Sequence, residues 1–409
     1  MWTPTILLHG SGSNIIEFPQ SERNFLPDND IIPELRTRRI SLQLSLGEII
    51  IKCFYIFLLH AEDFMQLEQT FMNFLIEHQR QHKRTLNFLI LMESIMTAAR
   101  YIQFYYQTGG LHRALGEAGQ INVQHEQVMR MDMMANQIVM HYLKESNQVI
   151  EVTSEEVDEE VVLNENGRYF IYFDPLDGSS NIAHSLPVGF LFGIAKRNLE
   201  GPEDNHLRPG CEFIASGMFV IPVGVFTFAL KDSGTWRFLQ DQNGVYIRPT
   251  RIVLPDAKKT WELSYNTANR KTFSDPVQKW IEENESKYSF RYTGSLAVDI
   301  HRLLDNGGMF MYPAIVNHPD AGKNRPEGKL RLMYECAVVA FIIHEAGGIA
   351  VNERGEDILA VKPIKRHQRS AIYIGSREPV SNIGAALKAH AEQKIRSELD
   401  ALNNNAQKA

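Results

Sequence analysis

The sequence predicts a layered α/β protein, and three observations predict it. Helical periodicity dominates the stretch after residue 64, short β-rich runs fill residues 148 to 253, and strands then alternate with helices. With 409 residues and 44% apolar content, the chain can bury a large core in about two to three domains. The expected divisions are 1–64, 65–253 and 254–409.

Residues 1–64 mix glycine, serine, proline and apolar residues without a sustained period, so they read as a dispensable extension, the alternative being that "IIIKCFYIFLL" packs on the first helix or across a subunit interface. A chain starting at Met65 is expected to fold, oligomerise and act as the full chain does. From Phe64, the side chains Leu67, Phe71, Phe74 and Leu75 share one helical face. "TLNFLILMESIMTAARYIQFYYQ" (85–107) continues as a second helix, stopped by Gly109 and Gly110, and a third covers about 124–145.

Strand-like runs follow at 148–154, 168–173, 190–197 and 213–230, then in "TWRFLQD" and "GVYIRPTRIVL". Beyond residue 254 come "WELSYN", a helix from Pro276, "RYTG" as a strand, a helix from Ser295 and "MFMYP". A helix from Arg331 to Ala346, "IAVN" and "AIYIGS" complete a second α/β layer system, before a low-complexity tail, "ALNNNAQKA".

Composition narrows the partners. The net charge is -7 and the basic residues are scattered, which argues against nucleic acid and membrane surfaces. "IIIKCFYIFLL" (49–59) is interrupted by Lys52 and falls well short of the ~20 residues that span a bilayer. Cys53, Cys211 and Cys336 are far apart, without zinc or disulfide spacing, so a reducing cytosol is expected.

Chemistry concentrates at "YFDPLDGSSN" (172–181). Ser154-Glu155-Glu156 ends one expected strand and Asp174 to Asp177 ends the next, so four carboxylates converge where open α/β sheets place their sites. Four such charges repel unless protons or cations intervene, and oxygen-only ligands suit Mg²⁺ or Mn²⁺. Leu176 can add its carbonyl, and Gly178, Ser179 and Ser180 can cradle a phosphate with backbone N–H groups. Taken alone, "DPLDG" also reads as a surface turn.

"FDPLDGSSN" resembles the signature of class I fructose-1,6-bisphosphatases, within the lithium-sensitive phosphatase superfamily that includes inositol monophosphatases. Family-like blocks recur in order: "NVQHEQVMRMD", "TSEE", "RYTGSLAVDIHRLL", "MFMYP", "GKLRLMYECAVVAFIIHEAGGIA" and "HQRSAIYIGS". The resemblance covers roughly residues 65–390 and implies the sugar-phosphatase fold, α-β-α-β-α in layers, with 65–253 as counterpart of the family's allosteric domain. It implies Glu155, Glu156, Asp174, Leu176, Asp177 and Glu335 as metal ligands. Alone, Glu335 also reads as an ordinary helix residue paired with Arg331 at i+4.

The same resemblance puts Asp177, Gly178, Ser179, Ser180 and Arg331 around a 1-phosphate. It puts Asn266, Arg291, Tyr292, Tyr312 and Lys329 around a 6-phosphate, with Arg291 reaching across an interface of a homotetramer, a dimer of dimers. Each tyrosine alone also fits a half-buried core aromatic. Glu126 and Asp132 match the family's other acids, which with Glu156 and Arg331 form the catalytic set; on sequence alone, Asp132 reads better as a solvated helix charge. The metal acids are expected to form a surface cluster whose removal leaves folding intact.

Two departures stand out. Asn269 replaces a family tyrosine of the 6-phosphate pocket, with Arg270 or Lys271 as substitutes, and "HQRQHKRT" (78–85) lacks the vertebrate AMP-site turn. The implied activity is Mg²⁺-dependent removal of the 1-phosphate from fructose 1,6-bisphosphate in gluconeogenesis. Sedoheptulose-1,7-bisphosphatase, a dual-specificity enzyme and a non-catalytic regulatory relative are the alternatives.

Overall fold

The computed structural model describes residues 68–82, 86–108, 123–198, 205–255 and 261–406, so the reading of residues 1–64 lies outside it. Three helices come first: α1 (Phe71–His82), α2 (Leu86–Thr108) and α3 (Val123–Ser146). The stripe in α1 buries Phe71, Phe74 and Leu75, as its spacing predicts. The helix starts at Phe71, where Thr70 bridges Ile247 and its hydroxyl caps the N–H of Asn73; Phe64 and Leu67 lie outside the described residues. In α2, Phe88, Leu91, Met92, Ile95, Ala99 and Ile102 form the buried face.

These helices cover one face of an eight-stranded sheet built from β1 (Val149–Ser154), β2 (Val161–Val162), β3 (Tyr169–Asp177), β4 (Val188–Lys196), β5 (Phe213–Ile221), β6 (Val225–Leu230), β7 (Gly234–Gln240) and β8 (Tyr246–Ile252). The spatial order is β2-β1-β3-β4-β5-β6-β7-β8, and only β1 and β3 run parallel. The run 213–230 divides into β5 and β6 at Gly224, whose φ of 74° suits glycine. All of β3 is buried: Tyr169, Ile171 and Phe173 face the helices, while Phe170 and Tyr172 face the opposite layer. A strand covered on both faces reads as a continuous apolar run.

The second face packs on α5 (Leu296–Asn306) and α6 (Ala337–Glu345). Those helices also meet a five-stranded sheet, order β10-β9-β11-β15-β13, formed by β9 (Trp261–Ser264), β10 (Tyr288–Phe290), β11 (Gly308–Tyr312), β13 (Ile349–Val351) and β15 (Ile372–Gly375). Its far side rests on α4 (Asp275–Asn284) and α7 (Arg377–Ala406) through Val277, Trp280, Ile281, Val380, Ile383 and Leu387. The layers therefore run α-β-α-β-α. Among the described residues, no helix is long and apolar enough to cross a membrane.

Three element readings need correction. "RYTG" is a loop after β10, turned by Gly294 at φ 84°. Arg331 ends a short strand, β12 (Leu330–Arg331), which pairs with β14 (Arg369–Ser370), and a π-helical turn (Leu332–Cys336) precedes α6. The polar tail continues α7 as helix to Ala406.

The phenylalanine layer above β5 is tight enough to give a test. A Cβ on Gly217 would lie 2.4 Å from the Phe192 ring and 2.9 Å from that of Phe226, which stacks on Phe219 at 4.2 Å. Gly217→Ala should therefore lower stability by about 1–3 kcal/mol through overpacking. Urea unfolding checks this, and an unchanged midpoint would contradict it.

Candidate active site

The site begins where the parallel pair ends. Ser154 lies beside Phe173 in register, and Glu155 donates its N–H to the Phe173 carbonyl at 3.2 Å. The two acidic segments thus leave neighbouring strands at their carboxyl ends, as the sequence predicts. Ser154 donates its hydroxyl to Asn136 of α3 at 2.7 Å and accepts the Glu156 N–H at 3.2 Å, which ties the Glu155–Glu156 turn to the helical layer.

Asp174 pairs with Leu191 and Asp177 with Gly189, so two residues of β3, Pro175 and Leu176, oppose one of β4. This is a bulge, and Pro175 suits it because proline has no N–H to give to the ladder. The bulge holds Asp174 in place, since its Oδ1 accepts the Leu176 N–H at 2.9 Å. Asp177 Oδ2 accepts from the Ser295 hydroxyl at 2.7 Å and from the Ala297 N–H at 2.8 Å, at the N-terminus of α5. Two glycines permit that approach: a Cβ on Gly178 would sit 2.6 Å from Ser295 Cβ, and one on Gly189 would sit 2.3 Å from Ala297 Cβ.

Glu335 arrives from the third layer on the π-helical turn. Its Oε2 accepts the backbone N–H of Arg331 at 2.7 Å, a contact that replaces the expected i+4 side-chain pair. The guanidinium of Arg331 instead stands 3.8 Å from Glu155. Asp174, Asp177 and Glu335 are buried, which corrects the expectation of a surface cluster.

Burial and mutual charge set the electrostatics. Asp174 and Glu335 are held well above the ordinary carboxylate range, chiefly by burial and then by Glu155 and Asp177. Burial also raises Asp177, against the hydrogen bonds from Ser295 and Ala297. Glu156 is raised by burial and by Glu155. Among the described residues, no three histidine, cysteine or acidic side chains form a ready coordination sphere. The donor set still fits a hard divalent cation: it is all oxygen, Asp174, Asp177 and Glu335 are buried, and added positive charge would relieve the mutual repulsion.

Asp132 of α3 accepts a hydrogen bond from Ser179 and is pushed up to about 7 by burial, then by Glu156 and Glu155. It is therefore not a solvated helix charge. Glu126 lies in the first turn of α3, and its side chain is outside the described residues.

The loop from Arg291 to Ser295 leads from these acids to the second predicted pocket. Thr293 gives its N–H to both oxygens of Asp299, at 3.2 and 3.1 Å, and its carbonyl accepts from Asn181. Tyr292 bonds Asn266, and its hydroxyl is raised mainly by burial, then by Tyr312. Asn266, Asn269 and Tyr312 line one shallow pocket with Phe273, Met311 and Pro313, and Lys329 Nζ lies 6.0 Å from the Tyr312 ring centre. Arg270 does not substitute for the missing tyrosine, because Glu285 holds its guanidinium at 3.0 and 2.9 Å. Arg291 is exposed and bonds the Phe290 carbonyl.

Ser295, Asn136 and Asp299 are positioning residues that the motif reading missed. Ser295 carried a usable signal, a serine before the apolar run of α5, where it caps the Val298 N–H. Nothing local to Asn136 pointed to its partner Ser154.

Comparison with known proteins agrees with this geometry. The profile "Fructose-1-6-bisphosphatase, N-terminal domain" matches residues 69–250, and its C-terminal counterpart matches residues 254–388. The class 1 fructose-1,6-bisphosphatase of Syntrophus aciditrophicus is 59% identical over 330 residues, covering 80% of this chain and 99% of the relative. Fructose-1,6-bisphosphatase 1 of Bos taurus is 34% identical, covering 79% of this chain and 96% of its own length. The crystal structure of Leishmania major fructose-1,6-bisphosphatase in holo form superposes with a TM-score of 0.66 at 30% identity, covering 79% of this chain and 99% of that one. With both halves matched in order and a relative covered almost end to end, the chain belongs to the class 1 fructose-1,6-bisphosphatase family.

Proposed function

We propose that the protein hydrolyses the 1-phosphate of D-fructose 1,6-bisphosphate to fructose 6-phosphate and phosphate, the gluconeogenic reaction, with Mg²⁺ as cofactor. One observation carries the reading: a single loop, Arg291–Ser295, joins a buried acid cluster at Asp177 to a polar pocket at Tyr292 and Asn266. A bisphosphate requires such a two-ended site. Glu155, Glu156, Asp174, Asp177, Glu335 and the Leu176 carbonyl would hold the metal, and Mn²⁺ fits the same donors. When bound, it polarises the phosphoryl oxygens and acidifies water.

The chain's own groups supply the rest. Arg331 and the N–H groups of Gly178, Ser179 and Ser180, beside Asp177, bind and orient the 1-phosphate. Lys329, Tyr292, Tyr312, Asn266 and a partner subunit's arginine, equivalent to Arg291, hold the 6-phosphate, so the working form is a homotetramer. Asp132, whose carboxyl titrates near neutrality, accepts a proton from the attacking water together with Glu156 and Glu126. Free Cys211 and Cys336 suit a reducing cytosol.

Asn269 on the pocket wall favours a second reading, activity on sedoheptulose 1,7-bisphosphate, because the wall lacks one phenol at the distal phosphate. Steady-state rates on both substrates decide between them. Activity absent with either substrate at every Mg²⁺ concentration would favour a non-catalytic relative instead.

Three outcomes are expected. Glu156→Gln should lower kcat by about 10²-fold or more while the protein stays folded. Retention of most activity would remove the proton-transfer assignment. Asp177→Ala should cost stability as well, because the Ser295 hydroxyl and the Ala297 N–H lose their buried acceptor.

Lys329→Ala should raise KM by about tenfold or more with a smaller change in kcat, as befits a group that holds a non-reacting phosphate. An equal loss in kcat and kcat/KM would contradict that role.

The raised carboxyls also predict a pH dependence. Over the window from the ordinary carboxylate range to about 7 for Asp132, the raised carboxyls bind more protons in the folded than in the unfolded state, and they outnumber His301, which burial lowers to about 4 and which acts in the opposite sense. The stability that these carboxyls contribute is lost as pH rises through that window. Protein stripped of divalent ions should therefore melt at lower temperature near pH 8 than near pH 5, and Mg²⁺ should raise Tm more at the higher pH. A Tm that rises between those pH values would count against the buried acid cluster.

A further inference from the structure

The segment Arg366-His367-Gln368-Arg369 touches both acidic arms of the site. Arg366 donates from Nη2 to the buried Glu151 at 2.9 Å, and from Nη1 to the Val152 carbonyl at 3.1 Å and the Thr153 hydroxyl at 3.3 Å, all on the strand that leads to Glu155. The Gln368 carbonyl accepts the Leu332 N–H at 2.7 Å, at the start of the π-helical turn. Arg369 lies opposite Arg331 in register and donates to the Lys329 carbonyl at 3.0 Å.

His367 sits at the centre of this strap. Its Nε2 lies 3.2 Å from the Val157 carbonyl and 3.5 Å from Asp158 Oδ1, just past the Glu155–Glu156 turn. Its Nδ1 lies 2.8 Å from the hydroxyl of Tyr334, the neighbour of Glu335. A carbonyl only accepts, so Nε2 carries the hydrogen; the neutral ring then accepts the Tyr334 O–H at Nδ1. One imidazole thereby joins the two carboxylate-bearing segments, which come from residues 157 and 334 of the chain.

We propose that His367 is a positioning residue: acting through Val157 and Tyr334, it fixes the separation of the Glu155–Glu156 turn and Glu335, and so sets divalent-cation affinity without touching substrate. The inference rests on the reading of those acids as the cation site. Outer partners that orient ligands typically contribute 10- to 100-fold in metal affinity.

The test is Mn²⁺ binding to the full-length protein without substrate, followed by electron paramagnetic resonance of free Mn²⁺, alongside Mg²⁺ activation and KM for fructose 1,6-bisphosphate. His367→Ala should weaken Mn²⁺ binding by about 10- to 100-fold, while KM at saturating Mg²⁺ stays within about twofold. His367→Gln, which keeps one donor and one acceptor, should restore part of the affinity. Tyr334→Phe should weaken binding in the same direction, and the double variant should bind no worse than His367→Ala. If His367→Ala does not fold, as its melting curve would reveal, Tyr334→Phe decides. Folded variants that bind Mn²⁺ as the wild type does would overturn the role, as would a matched loss in KM. Glu335→Gln is the control: if it leaves Mn²⁺ binding unchanged, the cation-site reading fails and the inference falls with it.

Discussion

The N-terminus of α5 against Asp177 is the contact on which the rest of the structure depends. Ser295 and Ala297 both donate to one oxygen of that buried carboxylate, across a sequence separation of more than a hundred residues. The bond pins the middle helical layer to the end of β3, and the same helix carries the five-stranded sheet on its other side. A charged acceptor at a helix N-terminus is favoured by the helix dipole and by unpaired N–H groups. Gly178 and Gly189 matter because any side chain there would hold helix and strand apart.

That arrangement carries an electrostatic cost. Asp174, Asp177 and Glu335 are buried within one another's fields, and each is pulled towards its protonated form. Hydrogen bonds from Leu176, Ser295, Ala297 and the Arg331 backbone orient them without neutralising them. Such a cluster is poorly suited to stabilising a fold by itself. It is well suited to holding positive charge, because the repulsion that burdens the protein becomes binding energy for a cation.

Much of this was legible in the sequence, for reasons that differ by element. The helical stripe of Phe71, Phe74 and Leu75 and the unbroken apolar run of β3 are direct records of burial on one face and on two. The acids declared themselves by clustering at strand ends, and Glu335 by its motif. The π-helical turn stayed hidden because a side chain looping back to the Arg331 N–H leaves no periodic trace. "RYTG" looked like a strand because Tyr and Thr favour strands, but Gly294 turns the chain there. The end of α7 looked like a tail because its sequence is polar and of low complexity. His367 opens a quoted motif and Asn136 lies in none, yet the contacts of neither could be read, since their partners lie elsewhere in the sequence.

The loop between Tyr292 and Ser295 has a further consequence. Asp299 grips it at Thr293, Asn181 holds the Thr293 carbonyl, and Asp177 anchors its end at Ser295. With three anchors in so few residues, its span is a fixed length of backbone. The loop then works as a caliper whose jaws are the acid cluster and the distal pocket. On the proposed reading, bisphosphates are sorted by the gap between their two phosphates before any hydroxyl of the sugar is inspected. A longer substrate must bend to be measured, and changing the caliper means changing three anchors together.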